Sequence, residues 1–213
     1  MLLKFGTDVV TYDDQKIGEL ESVIVEPATE EITHLVVRKG GVLNTEDKLV
    51  PISLVAQSDK TQIKLHEFEG DVDDLQNYQT SMFVPLDNYI NDDLEGEVIP
   101  LVFYPPLSSP RAYSAHLTGM PVIKKELPGD EEALREGAEV VGMEGKKLGQ
   151  VKEVILDPKT DRVTQLLVKE GVLFKKEYLI PVEWVRSIEE NEVDLYVNQN
   201  LIENLPSHNK AGA

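Results

Sequence analysis

Metal binding, phosphate binding and nucleophilic catalysis each require particular residue types at short, fixed spacings, and this chain carries fragments of all three patterns. His34, His66, His116 and His208 are scattered, and none has a second ligand at the spacing that metal sites use. Glu67, Glu69, Asp71, Asp73 and Asp74 invite a calcium reading, but an EF-hand loop needs alternating oxygen ligands and a glycine at its sixth position. Here Asp71-Val72-Asp73-Asp74 runs on into Leu75-Gln76-Asn77-Tyr78. Gly137, Gly142, Gly145 and Gly149 near Lys146 and Lys147 imitate a phosphate loop, yet Gly142 is followed by Met143 and Lys147 by Leu148, where the motif demands Gly-Lys-Ser/Thr. Ser108 and Ser109 precede Pro110 without a base partner. The chain has no cysteine, which removes disulfides, thiolate ligands and cysteine nucleophiles together. No catalytic, cofactor-binding or metal-ligating residue is expected, and the protein is read as non-enzymatic.

Charge narrows the partners. Twenty-one Lys and Arg face 39 Asp and Glu, a formal net charge of −18, so the surface field repels polyanions. Nucleic acid and anionic lipid are therefore not expected partners. Met1-Leu2-Leu3-Lys4-Phe5-Gly6-Thr7-Asp8 lacks the basic and apolar regions of a signal peptide. No run approaches the ~18 apolar residues of a membrane span. A cytoplasmic protein without direct membrane insertion is the expectation.

The elements that would position any site occur twice. From Gly6 to Gly40 against Gly137 to Gly171 the offset is constant at 131 (137 − 6), and 13 of the 35 paired positions are identical. Unrelated stretches would match at about two, so the chain carries a duplication. Beyond those glycines the offset becomes 130, pairing Leu49 with Leu179, Pro51 with Pro181 and Leu65 with Leu195. Within each copy, short β-branched runs alternate with turn residues at the spacing of a small sandwich or barrel. In the first copy strands are expected over 8–11, 17–26, 32–39, 48–56 and 62–67, with a loop over 40–47. Gly18 and Gly149 fall inside strand patterns, where glycine marks a bulge or sharp bend. Pro27 and Pro158 fit position i+1 of a type I turn. These four are read as structural turn residues rather than ligand contacts. Asp71 and Asp73 fit as N-caps of a short helix over 71–80, with Asn200 to Leu205 as its counterpart.

The ordered pattern of Lys-Ile/Leu-Gly, a Val/Ile-rich strand ending in Glu/Asp-Pro, Thr-x-Leu-Val/Leu-Val, a glycine and then Leu-Val/Ile-Pro resembles the PRC-barrel family. That family is named after a domain of the photosynthetic reaction centre H subunit, and it also supplies the C-terminal domain of a ribosome maturation factor. The resemblance covers residues 3–78 and 134–206 and implies a small β-barrel used for protein contacts, with no catalytic residues to carry over. The expected fold is all-β: two tandem PRC-type barrels, each followed by a short helix and joined by a proline-rich connector. The expected domains are 1–79, a connector over 80–131, 132–206, and a disordered tail over 207–213. The expected function is a protein-interaction adaptor. The alternatives by resemblance are a regulatory subunit of an electron-transfer or membrane complex and, behind it, a ribosome maturation factor.

The connector holds seven of the twelve prolines together with Phe103 and Tyr104. It is read either as a strap between the barrels or as an exposed recognition segment. From Leu65 to Pro110 there is no Lys or Arg, against ten Asp and Glu. Asp92, Asp93, Glu95, Glu97, Phe103 and Tyr104 are therefore the candidate docking residues for a basic protein partner, and a second copy of the chain is a further candidate partner.

Overall fold

The computed structural model describes residues 1–41, 44–68, 71–84, 120–125, 127, 131–170 and 176–208. The described residues are mostly β, with almost no helix. The strands are β1 (Leu2–Lys4), β2 (Asp8–Val10), β3 (Lys16–Glu26), β4 (Glu31–Gly41), β5 (Asn44–Pro51), β6 (Val55–Ser58), β7 (Gln62–Leu65), β8 (Gln79–Val84), β9 (Met120–Lys125) and β10 (Glu132–Arg135). The second copy supplies β11 (Glu139–Val141), β12 (Lys147–Leu156), β13 (Val163–Glu170), β14 (Lys176–Pro181), β15 (Val185–Ile188) and β16 (Glu192–Leu195), followed by helix α1 (Gln199–Glu203).

Residues Met1–Gln76 and Leu127–Ala213 form one compact unit, and Asn77–Glu126 form another. The second unit contains a two-stranded antiparallel sheet in which β8 pairs with β9, from Gln79 opposite Lys125 to Val84 opposite Met120. The first unit holds two seven-stranded sheets. Six strands of the first run β5-β4-β3-β2-β7-β6 and six of the second run β14-β13-β12-β11-β16-β15.

The seventh strand of each sheet comes from the other copy. β1 pairs antiparallel with β12, placing Leu3 opposite Val154, and β10 pairs with β3, placing Leu134 opposite Val23. Leu134 and Val154 are the counterparts of Leu3 and Val23 at the offset of 131, so the two exchanges are the same arrangement made reciprocally. This is the geometry of an isologous dimer interface built inside one chain. Leu3, Val23, Leu134 and Val154 are fully buried, and the buried side chains of both copies belong to one continuous apolar cluster. Burying a side chain of leucine size contributes about 1.5–3 kcal/mol, so each three- or four-residue strand is anchored by its central leucine. The main chain at the start is tied as well: Leu156 N–H donates to the Met1 carbonyl (2.9 Å), and the terminal ammonium donates to the Leu156 carbonyl (2.7 Å).

The turn residues behave as their types require. Thr29 N–H donates to the Glu26 carbonyl (3.3 Å), which puts Pro27 at position i+1, and Glu30 N–H donates to the same oxygen (2.8 Å). Asp161 N–H likewise reaches the Asp157 carbonyl (3.0 Å) around Pro158. Glu30 and Asp161 close these turns in the left-handed region, at φ 59° and 54°. The two turns then meet. Ile32 N–H donates to the Asp161 carbonyl (3.0 Å), Val163 N–H donates to the Glu30 carbonyl (2.9 Å), and Glu31 bridges to Arg162, its own counterpart (31 + 131).

Three sequence expectations are corrected. The expected loop over 40–47 is a hairpin in which β4 and β5 pair from His34–Pro51 to Gly41–Asn44. The single strand expected over 48–56 is two strands, because after Pro51 the chain takes a 3-10 turn over Ile52–Leu54 before β6. The helix expected over 71–80 is one 3-10 turn, Val72–Asp74; Leu75 is already extended (φ −64°, ψ 145°), and the Gln76 carbonyl accepts from Leu49 N–H (2.8 Å). Tertiary pairing thus overrides the local helix preference. The counterpart segment does form a short helix, α1, whose Ile202 is buried.

Candidate functional site

Gly18 and Gly149 are required for close approach, as a ligand site would also demand, but the neighbour is the protein's own backbone. A Cβ on Gly149 would lie 2.6 Å from the Lys169 carbonyl oxygen, and a Cβ on Gly18 would collide with that of Arg38. Each glycine also sits beside a register shift, between Val9 and Val10 and between Val140 and Val141. The bulged corner is structural. Pro27 and Pro158 lie in the turns that join β3 to β4 and β12 to β13. Asp92, Asp93, Glu95, Glu97, Phe103 and Tyr104 lie outside the described residues.

Among the described residues no group of three His, Cys, Asp or Glu is arranged to hold a metal. His34 is half-buried with its Nδ1 3.0 Å from the Thr33 hydroxyl, while His66 and His208 are exposed.

A groove of about 520 Å³ opens instead at one end of the first sheet, lined by Thr11, Tyr12, Asp13, Gln15, Phe68, Asp71 and Val72. One wall is the β2–β3 turn. Asp14 takes φ 66° there, and Thr11 N–H donates to the Gln15 carbonyl (2.9 Å). The Thr11 hydroxyl donates to the Asp13 carboxylate, and the Gln15 amide donates to its other oxygen (2.8 Å). The Thr11 hydrogen bond is the main reason that Asp13 is held below the usual carboxylate range, with the Gln15 amide adding to it. Lys64 pairs with Asp14 on the adjoining strand (2.6 Å).

The other wall is the 3-10 turn. Asp71 caps it, accepting from Asp73 N–H, while Asp74 reaches back to Asp71 N–H (3.0 Å), a capping box that fixes the chain direction. Beneath it the buried Lys48 ammonium donates to the carbonyls of Asp73 (2.9 Å) and Leu75 (3.2 Å). A buried ammonium is tolerated only with such partners, and here it pins the turn. Val72, Leu75 and Phe68 pack on the core from this side.

One pair of exposed apolar side chains occupies the equivalent turn in the two copies. The large hydrophobic side chains most exposed among the described residues are Tyr12 (53%), Met143 (60%), Tyr196 (63%) and Leu201 (45%). Met143 is the counterpart of Tyr12, and its N–H donates to the Val197 carbonyl (3.1 Å). The β2–β3 turn and its counterpart therefore each expose one apolar side chain, while Tyr196 and Leu201 are exposed in the second copy only. Sequence reasoning passed over Tyr12 because a single aromatic in a polar turn carries no periodic signal.

A model of the PRC-barrel domain matches residues 5–72 and again 136–200. The chain belongs to the PRC-barrel family, with two copies of the domain in tandem. No curated protein matches it. Membership defines the class as β-rich PRC-barrel domains, a type that suggests a protein-interaction module, and among the described residues no helix is long and apolar enough to cross a membrane.

Proposed function

We propose that this protein is a non-enzymatic adaptor whose paired domains present binding surfaces to other proteins. The carrying observation is the reciprocal strand exchange, which joins the two PRC-type domains into one compact unit and holds the Tyr12 and Met143 turns on one scaffold. Preorganised surfaces bind without the entropic cost of ordering flexible ones. Each sheet is read as curling into a small barrel, because its two edge strands, such as β5 and β6, are joined through only Ile52–Leu54. The charge of −18 favours partners with a basic face.

Affinity purification of the full chain from its native cells, with quantitative mass spectrometry, tests this reading. The expected result is one or a few proteins retained at near-stoichiometric amounts and released as salt is raised. A tightly held organic cofactor in the purified protein, with no retained protein, would overturn it.

A further inference from the structure

The two copies act as each other's control. Positions that agree between them serve the fold, and positions that differ at the same place are free to serve recognition. At the groove end they differ at most lining positions, although Asp13 stays acidic as Glu144 and Val72 stays apolar as Ile202. Tyr12 becomes Met143, Gln15 becomes Lys146 at the offset of 131, and Phe68 and Asp71 become Asn198 and Leu201 at the offset of 130. The first copy thus combines two aromatic rings with two carboxylates and has no Lys or Arg among its lining residues. The second copy puts a lysine in the turn and caps its helix with the neutral Asn198, whose side chain accepts from the N–H of the exposed Leu201.

We propose that the groove of the first copy binds a cationic side chain, Lys or Arg, carried on an extended segment of a partner protein. This inference rests on the adaptor reading and gives it a site. Tyr12 is more than half exposed and lines the groove, and a cation seated over its ring would gain about 0.5–2 kcal/mol, roughly twofold to thirtyfold in affinity. Asp13 is already held in its ionised form by Thr11 and Gln15, and each of its oxygens keeps lone-pair capacity beyond the single bond it accepts. Asp71 is fixed by the capping box. Phe68 and Val72 give the aliphatic stem of the cation and its apolar neighbours a surface to lie on. The groove is a partly open surface depression rather than an enclosed cavity, which a side chain presented by another protein can enter.

The test titrates the full chain with a capped peptide alternating leucine and arginine, a lysine version, and a version in which neutral citrulline replaces arginine. Binding is followed by fluorescence anisotropy and by aromatic NMR signals. The expected result is binding of both cationic peptides, loss with citrulline, and shifts centred on the Tyr12 and Phe68 rings. Tyr12→Ala and Asp71→Asn, the latter retaining a capping side chain, should each weaken binding about fivefold to tenfold. Met143→Ala and Leu201→Ala should leave it unchanged. Equal weakening by the second-copy variants would place binding on apolar surface outside the groove, and shifts spread over the surface would show bulk charge attraction; either overturns the groove, as would no binding. If the Tyr12→Ala chain still retains the native partners, the groove falls while the adaptor reading stands.

Discussion

Single residues in this molecule are constrained chiefly by how closely its strands approach. A methyl group at Gly18 or Gly149 meets a carbonyl oxygen of the neighbouring strand, and backbone cannot move aside as a side-chain tip can. Gly18→Ala and Gly149→Ala should each cost about 1–3 kcal/mol, read as a lower urea midpoint. The left-handed turn residues predict the opposite sign. Asp161→Gly removes a left-handed penalty of about 1–2 kcal/mol while adding unfolded-state freedom, so a net gain of up to about 1 kcal/mol is expected in the same assay. Arg186 donates to Asp194 across the β15–β16 pair (2.9 Å) and, with Ser187, holds that carboxyl below its ordinary value of 3.8. A depressed carboxylate contributes stability above its unfolded value and loses it as pH falls through the lower folded one. Arg186→Met should flatten that acid limb of a stability–pH curve only slightly, since the guanidinium is half exposed and solvent screens the pair.

Among the elements, β1 and β10 do most to unite the domains while being among the shortest. Leu3→Ala and Leu134→Ala should each cost about 2–5 kcal/mol, and because the two sites are equivalent their costs should be similar. The duplication, the β3 and β12 hairpins and the proline turns were legible in the sequence, since each is written in residues close together: Lys-Ile/Leu-Gly, Glu/Asp-Pro, and alternating Val and Leu. The exchange was not. Leu2–Lys4 is too short to show periodicity, and its partner lies about 150 residues away, a distance over which local chemistry carries no information. The expected loop over 40–47 failed because Gly40-Gly41 reads as a breaker, although in a hairpin a glycine at φ 99° can lie within the ladder. The expected helix over 71–80 failed because its capping signal was real while its continuation was claimed by pairing to β5 through Leu49. At the groove, Asp71 stood out in the sequence as a cap, whereas Tyr12 and Phe68 could be joined only by the fold.

For the whole molecule, a shared core predicts shared unfolding. Calorimetry on the full chain should give one cooperative transition for the two PRC-type domains, with Leu3→Ala and Leu134→Ala moving the same peak. The place where the domains meet also shows what duplication permits. In a dimer of identical chains the residue at Glu31 would face itself, like charge against like. Here one copy carries Glu31 and the other Arg162, 3.1 Å apart. Glu31→Arg should cost less than about 1 kcal/mol at this exposed site, and adding Arg162→Glu should restore it, as a double-mutant cycle would read.

The reciprocal exchange also has a consequence in time. On the ribosome, Glu26 at the end of β3 emerges 106 residues before Glu132 (132 − 26), so at 5–20 residues per second β3 waits roughly 5 to 21 seconds for its last neighbour. Through that interval β3 carries a bare edge along Ser22 to Val25, and β1 has no partner of its own. A sister chain growing on the same message offers the same complementary edge and strand. How closely ribosomes are spaced on that message therefore decides whether a nascent chain closes on itself or on its neighbour.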